Sequence, residues 1–156
     1  MAVMTSERPS VQSPLEFVTT NDWVLIKAGA RQVKFSPGDV LIQQNSPGGT
    51  LYLFDRGSAR IEASGTTLAH IGPGQICGEI AFLDNGTSSA SVIAEEEVEA
   101  DAINWAELHR IFRMFPHVGS RFYQSLAVML SRRLRDTSAK LADCQLSCTL
   151  ACQSGV

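Results

Sequence analysis

Gly72-Pro-Gly-Gln-Ile-Cys-Gly-Glu-Ile-Ala-Phe-Leu-Asp-Asn-Gly-Thr-Ser-Ser-Ala-Ser-Val-Ile-Ala94 is the stretch on which the reading of this chain turns. Its opening Gly72-Pro73-Gly74 reads as a turn and not as a phosphate loop, because no Gly-Lys-Ser/Thr follows it. The charge around it is one-sided. Between Arg60 and Arg110 there is no Lys or Arg, while Glu62, Glu79, Asp84, Glu95, Glu96, Glu97, Glu99, Asp101 and Glu107 are all acidic. On either side, short runs of period-2 alternation are separated by turn signals: Ser36-Pro-Gly-Asp, Asn45-Ser-Pro-Gly-Gly, Asp55-Arg-Gly, Gly65-Thr-Thr and the Gly-Pro-Gly itself. Such spacing predicts a mainly β unit, a jelly-roll barrel.

Helical signals flank that unit. Asn21-Asp22 predicts the cap of a short helix from Trp23 to about Ala28. Asn104 predicts the cap of a second, Trp105 to Met114, which Pro116 ends. A long helix is expected from about His117 past Asp143. Along it, Ala127, Leu130, Leu134, Thr137, Leu141, Cys144, Cys148 and Ala151 fall at alternating spacings of three and four, the seam of a left-handed coiled coil. Either the helix folds back on its own barrel or the seam meets a partner helix. The expected organisation is a mobile leader over residues 1–19, a β-roll with short helices over 20–116, a C-terminal helix over 117–150 and a tail over 151–156.

Gly78-Glu79, the loop Asp84-Asn85-Gly86-Thr87 and the strand Ser89-Ala90-Ser91-Val92 together resemble the phosphate-binding cassette of cyclic nucleotide-binding domains, the family of the catabolite activator protein and the protein kinase A regulatory subunit. Val33-Lys-Phe-Ser-Pro-Gly-Asp-Val-Leu-Ile42 and Leu51-Tyr-Leu-Phe-Asp-Arg-Gly57 resemble two further family motifs, and the likeness covers residues 20 to 143. It implies that the Gly-Glu pair opens a short helix, that backbone N–H groups cradle a cyclic phosphate, and that Glu79 accepts from the ribose 2′-hydroxyl. It also implies an Arg leading into the small-residue strand, and Ser88 stands there instead. Hydrogen bonds to charged groups contribute about 1.5–3 kcal/mol, so losing that cation is expected to weaken binding about 10- to 150-fold. Asn45 stands where the family often has Gly, a substitution compatible with a left-handed turn residue.

The candidate ligand-binding residues are Gly78, Glu79, Ile80, Ser88, Ser89 and Ala90. Backbone N–H groups of Ile80, Ser89 and Ala90 are expected at the phosphate, the hydroxyls of Ser88 and Ser89 as neutral substitutes, and Arg132 or Arg133 of a partner helix as a source of charge. Ala90 leans towards cyclic AMP over cyclic GMP by family analogy. Glu79 keeps a second reading, as a carboxylate that only satisfies the start of a helix.

The chain has 156 residues and a formal net charge of −3, which excludes a blanket attraction to nucleic acid or anionic membrane. No signal peptide or membrane span is evident, so a cytoplasmic address is expected. The family's dimer helix leads to the expectation of a homodimer, and the short stretch after Asp143 to the expectation that DNA is not a partner. Cys144, Cys148 and Cys152 recur every four residues and read as small apolar filler, as interchain disulfides or, with no His near, as a metal tract. Cys77 is expected in the core. His70, His109 and His117 join no catalytic arrangement, and Glu95-Glu96-Glu97 reads as a solvated loop. The expectation is a non-enzymatic stand-alone sensor without cofactor or metal, weakly or atypically binding a cyclic nucleotide and signalling through its helix to a protein partner. The alternative is a fold that has lost the ligand and serves dimerisation or docking.

Overall fold

Among the described residues eight strands form two four-stranded antiparallel sheets, and side-chain alternation along them divides the interior into two cores. The computed structural model describes residues 15–153, with side chains through residue 148. In chain order the elements are α1 (Thr20–Lys27), β1 (Arg31–Phe35), β2 (Val40–Ile42), β3 (Thr50–Arg56), β4 (Ala59–Ala63), β5 (Thr66–Ile71), β6 (Ile76–Cys77), α2 (Glu79–Asp84), β7 (Ser91–Ala94), β8 (Val98–Asn104), α3 (Trp105–Met114) and α4 (Pro116–Gln153). One sheet has the order β1-β8-β3-β6 and the other β2-β7-β4-β5, giving the jelly roll with a long C-terminal helix that the sequence predicts.

The two faces of β3 explain the division. Leu51 and Leu53 point to a core shared with the helices, where Ile76, Ile103, Leu108, Val118, Phe122, Leu126 and Met129 are buried. Phe54 points the other way, into the roll, beside Leu41, Ala59, Ile71, Cys77, Val92 and Val98. The β6 pair splits likewise, Ile76 towards the helices and Cys77 towards the roll. Each large side chain fully buried here contributes about 1.5–3 kcal/mol.

The predicted turns carry the backbone that their residues allow. Asn45 sits at φ 64°, and Gly38 and Gly57 at φ 90° and 81°. Asn104 caps α3 through its side-chain oxygen, which accepts from the Ala106 N–H at 2.8 Å, and α3 ends at Met114 as expected. Pro116 opens α4 rather than only ending α3, since a first-turn position has no intrahelical N–H bond to lose.

Two expectations need correction at the N-terminal side. Helix α1 starts at Thr20, three residues before Trp23, because Thr19 and Asp22 close a reciprocal capping box: the Asp22 N–H donates to Thr19 Oγ1 at 3.2 Å and the Thr19 N–H to Asp22 Oδ2 at 3.0 Å. Residues 15–19, expected in the mobile leader, pack into the fold. Leu15 and Val18 are buried in the helical core, and the Phe17 N–H donates to Ser125 Oγ at 3.0 Å. Residues 1–14 of that leader and the tail from 154 lie outside the described residues, as do the side chains of Ala151 and Cys152.

Helix α4 folds back on its own barrel over its first half only. Val118, Phe122, Leu126 and Met129 pack against the body, whereas every residue from Leu134 to Cys148 is exposed. The seam leucines Leu134 and Leu141 are 68% and 59% exposed, so among the described residues nothing covers this part of the helix.

Asp22 fastens α4 to α1. Arg121 donates to both its oxygens, at 2.7 and 2.6 Å, and the carboxylate is buried. The Arg121 guanidinium and the Thr19 donors, against the opposing effect of burial, hold the Asp22 carboxyl well below the usual carboxylate range. Arg121→Ala leaves this carboxylate with only the Thr19 donors and should lower the urea midpoint of unfolding at pH 7. Because the folded-state pKa is depressed, the pair contributes fully above the unfolded value of about 4 and fades as pH falls below it towards the folded one. The gap between parent and variant should therefore narrow on acidification from pH 5 to 3. A gap that stays constant would remove the pair from the acid response.

Candidate functional site

Gly78 makes the site possible. It stands at φ 89°, a conformation that side chains with a Cβ rarely adopt, and an added Cβ would meet the Thr50 carbonyl oxygen at 2.6 Å. From this turn α2 starts at Glu79, with the Phe82 N–H donating to the Gly78 carbonyl at 3.3 Å. The Glu79 side chain is turned inward and is only 4% exposed. It is paired with Arg133 of α4, whose Nη1 donates to Glu79 Oε1.

The loop after α2 is pinned on both sides. The Asp84 carboxylate accepts from the Gly86 N–H at 2.8 Å, and Asn85 takes a left-handed conformation. Ser88 is mostly buried, and its backbone is engaged with the turn before β3: its N–H donates to the Ser46 carbonyl at 3.0 Å, and its carbonyl accepts from the Asn45 N–H at 2.8 Å. Ser91 Oγ accepts from the Gln44 N–H at 2.8 Å, which ties the start of β7 to the same turn. Among the described residues, no loop hydrogen bond occupies the N–H groups of Ser89 and Ala90.

All six sequence-predicted residues, Gly78, Glu79, Ile80, Ser88, Ser89 and Ala90, line one cavity of 80 Å³, together with Arg133 and the apolar Ile42, Ile61 and Val92. A larger hollow of 240 Å³ adjoins it, sharing Ile42, Gly78, Ala81 and Ser88, and others lie elsewhere. One of 610 Å³ on the face of β1, β3 and β8 is bordered by Arg31, Lys34 and Tyr52, without a buried carboxylate. The cassette cavity stands out by its chemistry, pairing a buried acid and a cation with neutral hydroxyls.

The source of the cation differs from expectation. Arg133 reaches Glu79 from the chain's own helix, across 54 positions of sequence, and not from a partner. Arg132 points elsewhere, to Glu16 at 3.0 Å. The helical phase explains the difference: Leu126, Met129 and Arg133 are spaced three and four apart, so Arg133 continues the buried face while Arg132 falls beside it.

Sequence reasoning also missed Phe82. This cassette-helix residue stacks on His109 at 5.0 Å and Tyr123 at 6.1 Å and meets Trp105 and Phe122 edge-on at 5.7 and 6.1 Å, so α2 is packed directly onto α3 and α4. Its place in an apolar run was visible, but which helices it touches depends on tertiary docking. Cys77 lies in the core as expected, and Cys144 and Cys148 are exposed. Among the described residues no His, Cys, Asp or Glu cluster has the geometry to hold a metal ion, and no helix is long and apolar enough to cross a membrane.

This geometry agrees with what comparison finds. The family model "Cyclic nucleotide-binding domain" matches residues 32–114, and the chain belongs to that family. A curated relative, the cyclic AMP receptor protein of Thermus thermophilus, is 33% identical over 112 residues, covering 69% of this chain and 50% of the relative. The crystal structure of the Thermus thermophilus catabolite activator protein superposes with a TM-score of 0.70 at 30% identity, over 85% of this chain and 63% of that one. A cyclic nucleotide-binding domain from Methylobacillus flagellatus shares the fold with a TM-score of 0.75 at 20% identity, over 85% and 82% of the two chains. The chain thus spans about half the length of its curated Thermus relative.

Burial pushes the Cys77 thiol far up, the Glu79 charge adds to this and Arg133 opposes it. Iodoacetamide at pH 8 should therefore alkylate Cys144 and Cys148 in the native protein and reach Cys77 only after denaturation, as read by peptide mass spectrometry. Labelling of native Cys77 at a comparable rate would mean that the cassette strand opens freely.

Proposed function

We propose that this chain is a non-enzymatic regulatory module that binds a cyclic nucleotide, cyclic AMP in preference to cyclic GMP, weakly or atypically in the cassette and signals through α4 to a protein partner. The observation that carries this reading is the convergence of the six cassette residues on one cavity around a buried carboxylate. In it Glu79 accepts from the ribose 2′-hydroxyl, the N–H groups of Ile80, Ser89 and Ala90 face the phosphate, and the hydroxyls of Ser88 and Ser89 add neutral donors. No metal or cofactor enters the reading, and its setting is the cytoplasm. DNA is not among the partners of this reading, in keeping with the formal net charge of −3. The name of the Thermus relative, a cyclic AMP receptor, supports the choice of ligand.

A second reading is favoured by two observations. Ser88 leaves the cassette without its strand-side cation, and 80 Å³ is well below the roughly 300–1,000 Å³ of pockets that enclose drug-sized ligands. On this reading the fold is kept for dimerisation or docking and no nucleotide binds. Calorimetric titration with cyclic AMP and cyclic GMP separates the two. Saturable binding that Glu79→Ala abolishes is expected of the sensor. A silent parent with binding gained in Ser88→Arg would leave the docking role.

The reading includes a homodimer through α4. Its support is the seam of Leu134, Thr137, Leu141, Cys144 and Cys148, exposed throughout and regularly spaced for a second copy of the same helix. Leu134→Asp with Leu141→Asp should shift the sedimenting species from dimer to monomer with the roll still folded. A parent that already sediments as a monomer at tens of micromolar would sink this part of the proposal.

A further inference from the structure

We infer that Arg133 supplies, from the chain's own α4, the phosphate-holding cation that the cassette lacks at Ser88, so that an anionic ligand is gripped jointly by the roll and the long helix. The inference rests on the cyclic nucleotide reading above and names the residue on which that reading's affinity depends.

Charge requires such a residue. The cassette strand offers Ser88 and Ser89, both neutral, and the chain has no Lys or Arg between Arg60 and Arg110. A cyclic phosphate entering beside the ionised Glu79 would bring a second negative charge into a water-poor recess, where like charges repel strongly. Arg133 is the cation that lines this cavity, and it does so together with Ser88, Ser89 and Ala90.

Its bonding leaves capacity for the task. A guanidinium carries five N–H donors in a planar fork, and Arg133 commits Nη1 to Glu79. Among the described residues its guanidinium has no further hydrogen-bond partner, and the side chain, which lines the cavity, is 37% exposed, so donors remain available to a ligand. The base of the side chain is placed firmly, because Leu126 and Met129 on the same helical face are buried in the core. Phosphate capture therefore needs only a turn of the guanidinium about a fixed helix. The consequence is mechanical: ligand affinity and the docking of α4 become one coupled equilibrium, and anything that steadies α4 raises affinity by the factor with which ligand steadies α4.

The test is calorimetry of the full chain with cyclic AMP for the parent, Arg133→Gln, Arg133→Lys, Ser88→Arg and the double variant Ser88→Arg/Arg133→Gln, each checked for native melting. Arg133→Gln should weaken binding about 10- to 150-fold, the range of one charge-assisted contact. Arg133→Lys should lose less, and Ser88→Arg in the Arg133→Gln background should restore affinity to within a few-fold of the parent. Unchanged or tighter binding by Arg133→Gln would make Arg133 a plug on Glu79 and overturn the inference. So would failure of Ser88→Arg to rescue, which marks a structural role, or binding by Ser88→Arg when the parent is silent. If none of the five proteins binds cyclic AMP, the cyclic nucleotide reading itself falls and takes the inference with it.

Discussion

A carboxylate shut away from water is the constraint around which this molecule is arranged. Glu79 is 4% exposed, and it follows directly on the left-handed turn at Gly78 from which α2 starts. An ionised acid in such surroundings needs a partner, because desolvation alone would cost several kcal/mol. Its neighbours in sequence have none to give: the acidic stretch from Glu62 to Glu107 contains no Lys or Arg. The counter-charge comes from Arg133, and it arrives only if α4 lies along the body in one rotational phase, with Val118, Phe122, Leu126 and Met129 facing the core. Cassette and helix, which a boundary at Pro116 would separate, are therefore joined by electrostatics as well as by packing.

Phe82 gives the same union an apolar component. It lies three residues after Glu79, so the two side chains leave neighbouring positions of one short helix, one towards Arg133 and the other into the rings of α3 and α4. A helix of six residues is too short to be stable by its own hydrogen bonds. Its position is set by what Glu79 and Phe82 touch. A disturbance in the cassette loop consequently has a direct mechanical route to Trp105, His109 and Tyr123, with no need of a long chain of intermediaries.

The parts of the structure legible in the sequence are those decided by neighbours in sequence. Asn104 and Pro116 bound α3 by local chemistry, and the Gly and Asn turn positions carry their own φ preferences, so the roll and its exit helix follow from the sequence. The six cassette residues were legible as a group for the same reason, each lying within thirteen positions of the others. What escaped depends on distance along the chain. Thr19, and not the Asn21-Asp22 pair, caps α1, and the burial of Leu15 depends on a helix more than a hundred residues away. The pairing of Arg133 with Glu79 spans 54 positions, and an Arg on a charged helical face carries no local mark of where it points. Only the phase set by Leu126 and Met129 distinguishes it from Arg132, and that phase is readable once those two are known to be buried.

Moving a cation from strand to helix alters what a site of this kind reports. A guanidinium fixed on the strand at Ser88 would hold an anion whether or not α4 were docked, and occupancy would then inform the helix only through packing such as that of Phe82. With Arg133 in that role, the undocked helix leaves a cassette that is acidic and repels the ligand, while the docked helix completes it. The same helix runs on, exposed at every position from Leu134 to Cys148, into the seam suited to a second copy. Dimerisation and ligand capture would thus both draw on the position of α4, and neither equilibrium is free to change without shifting the other.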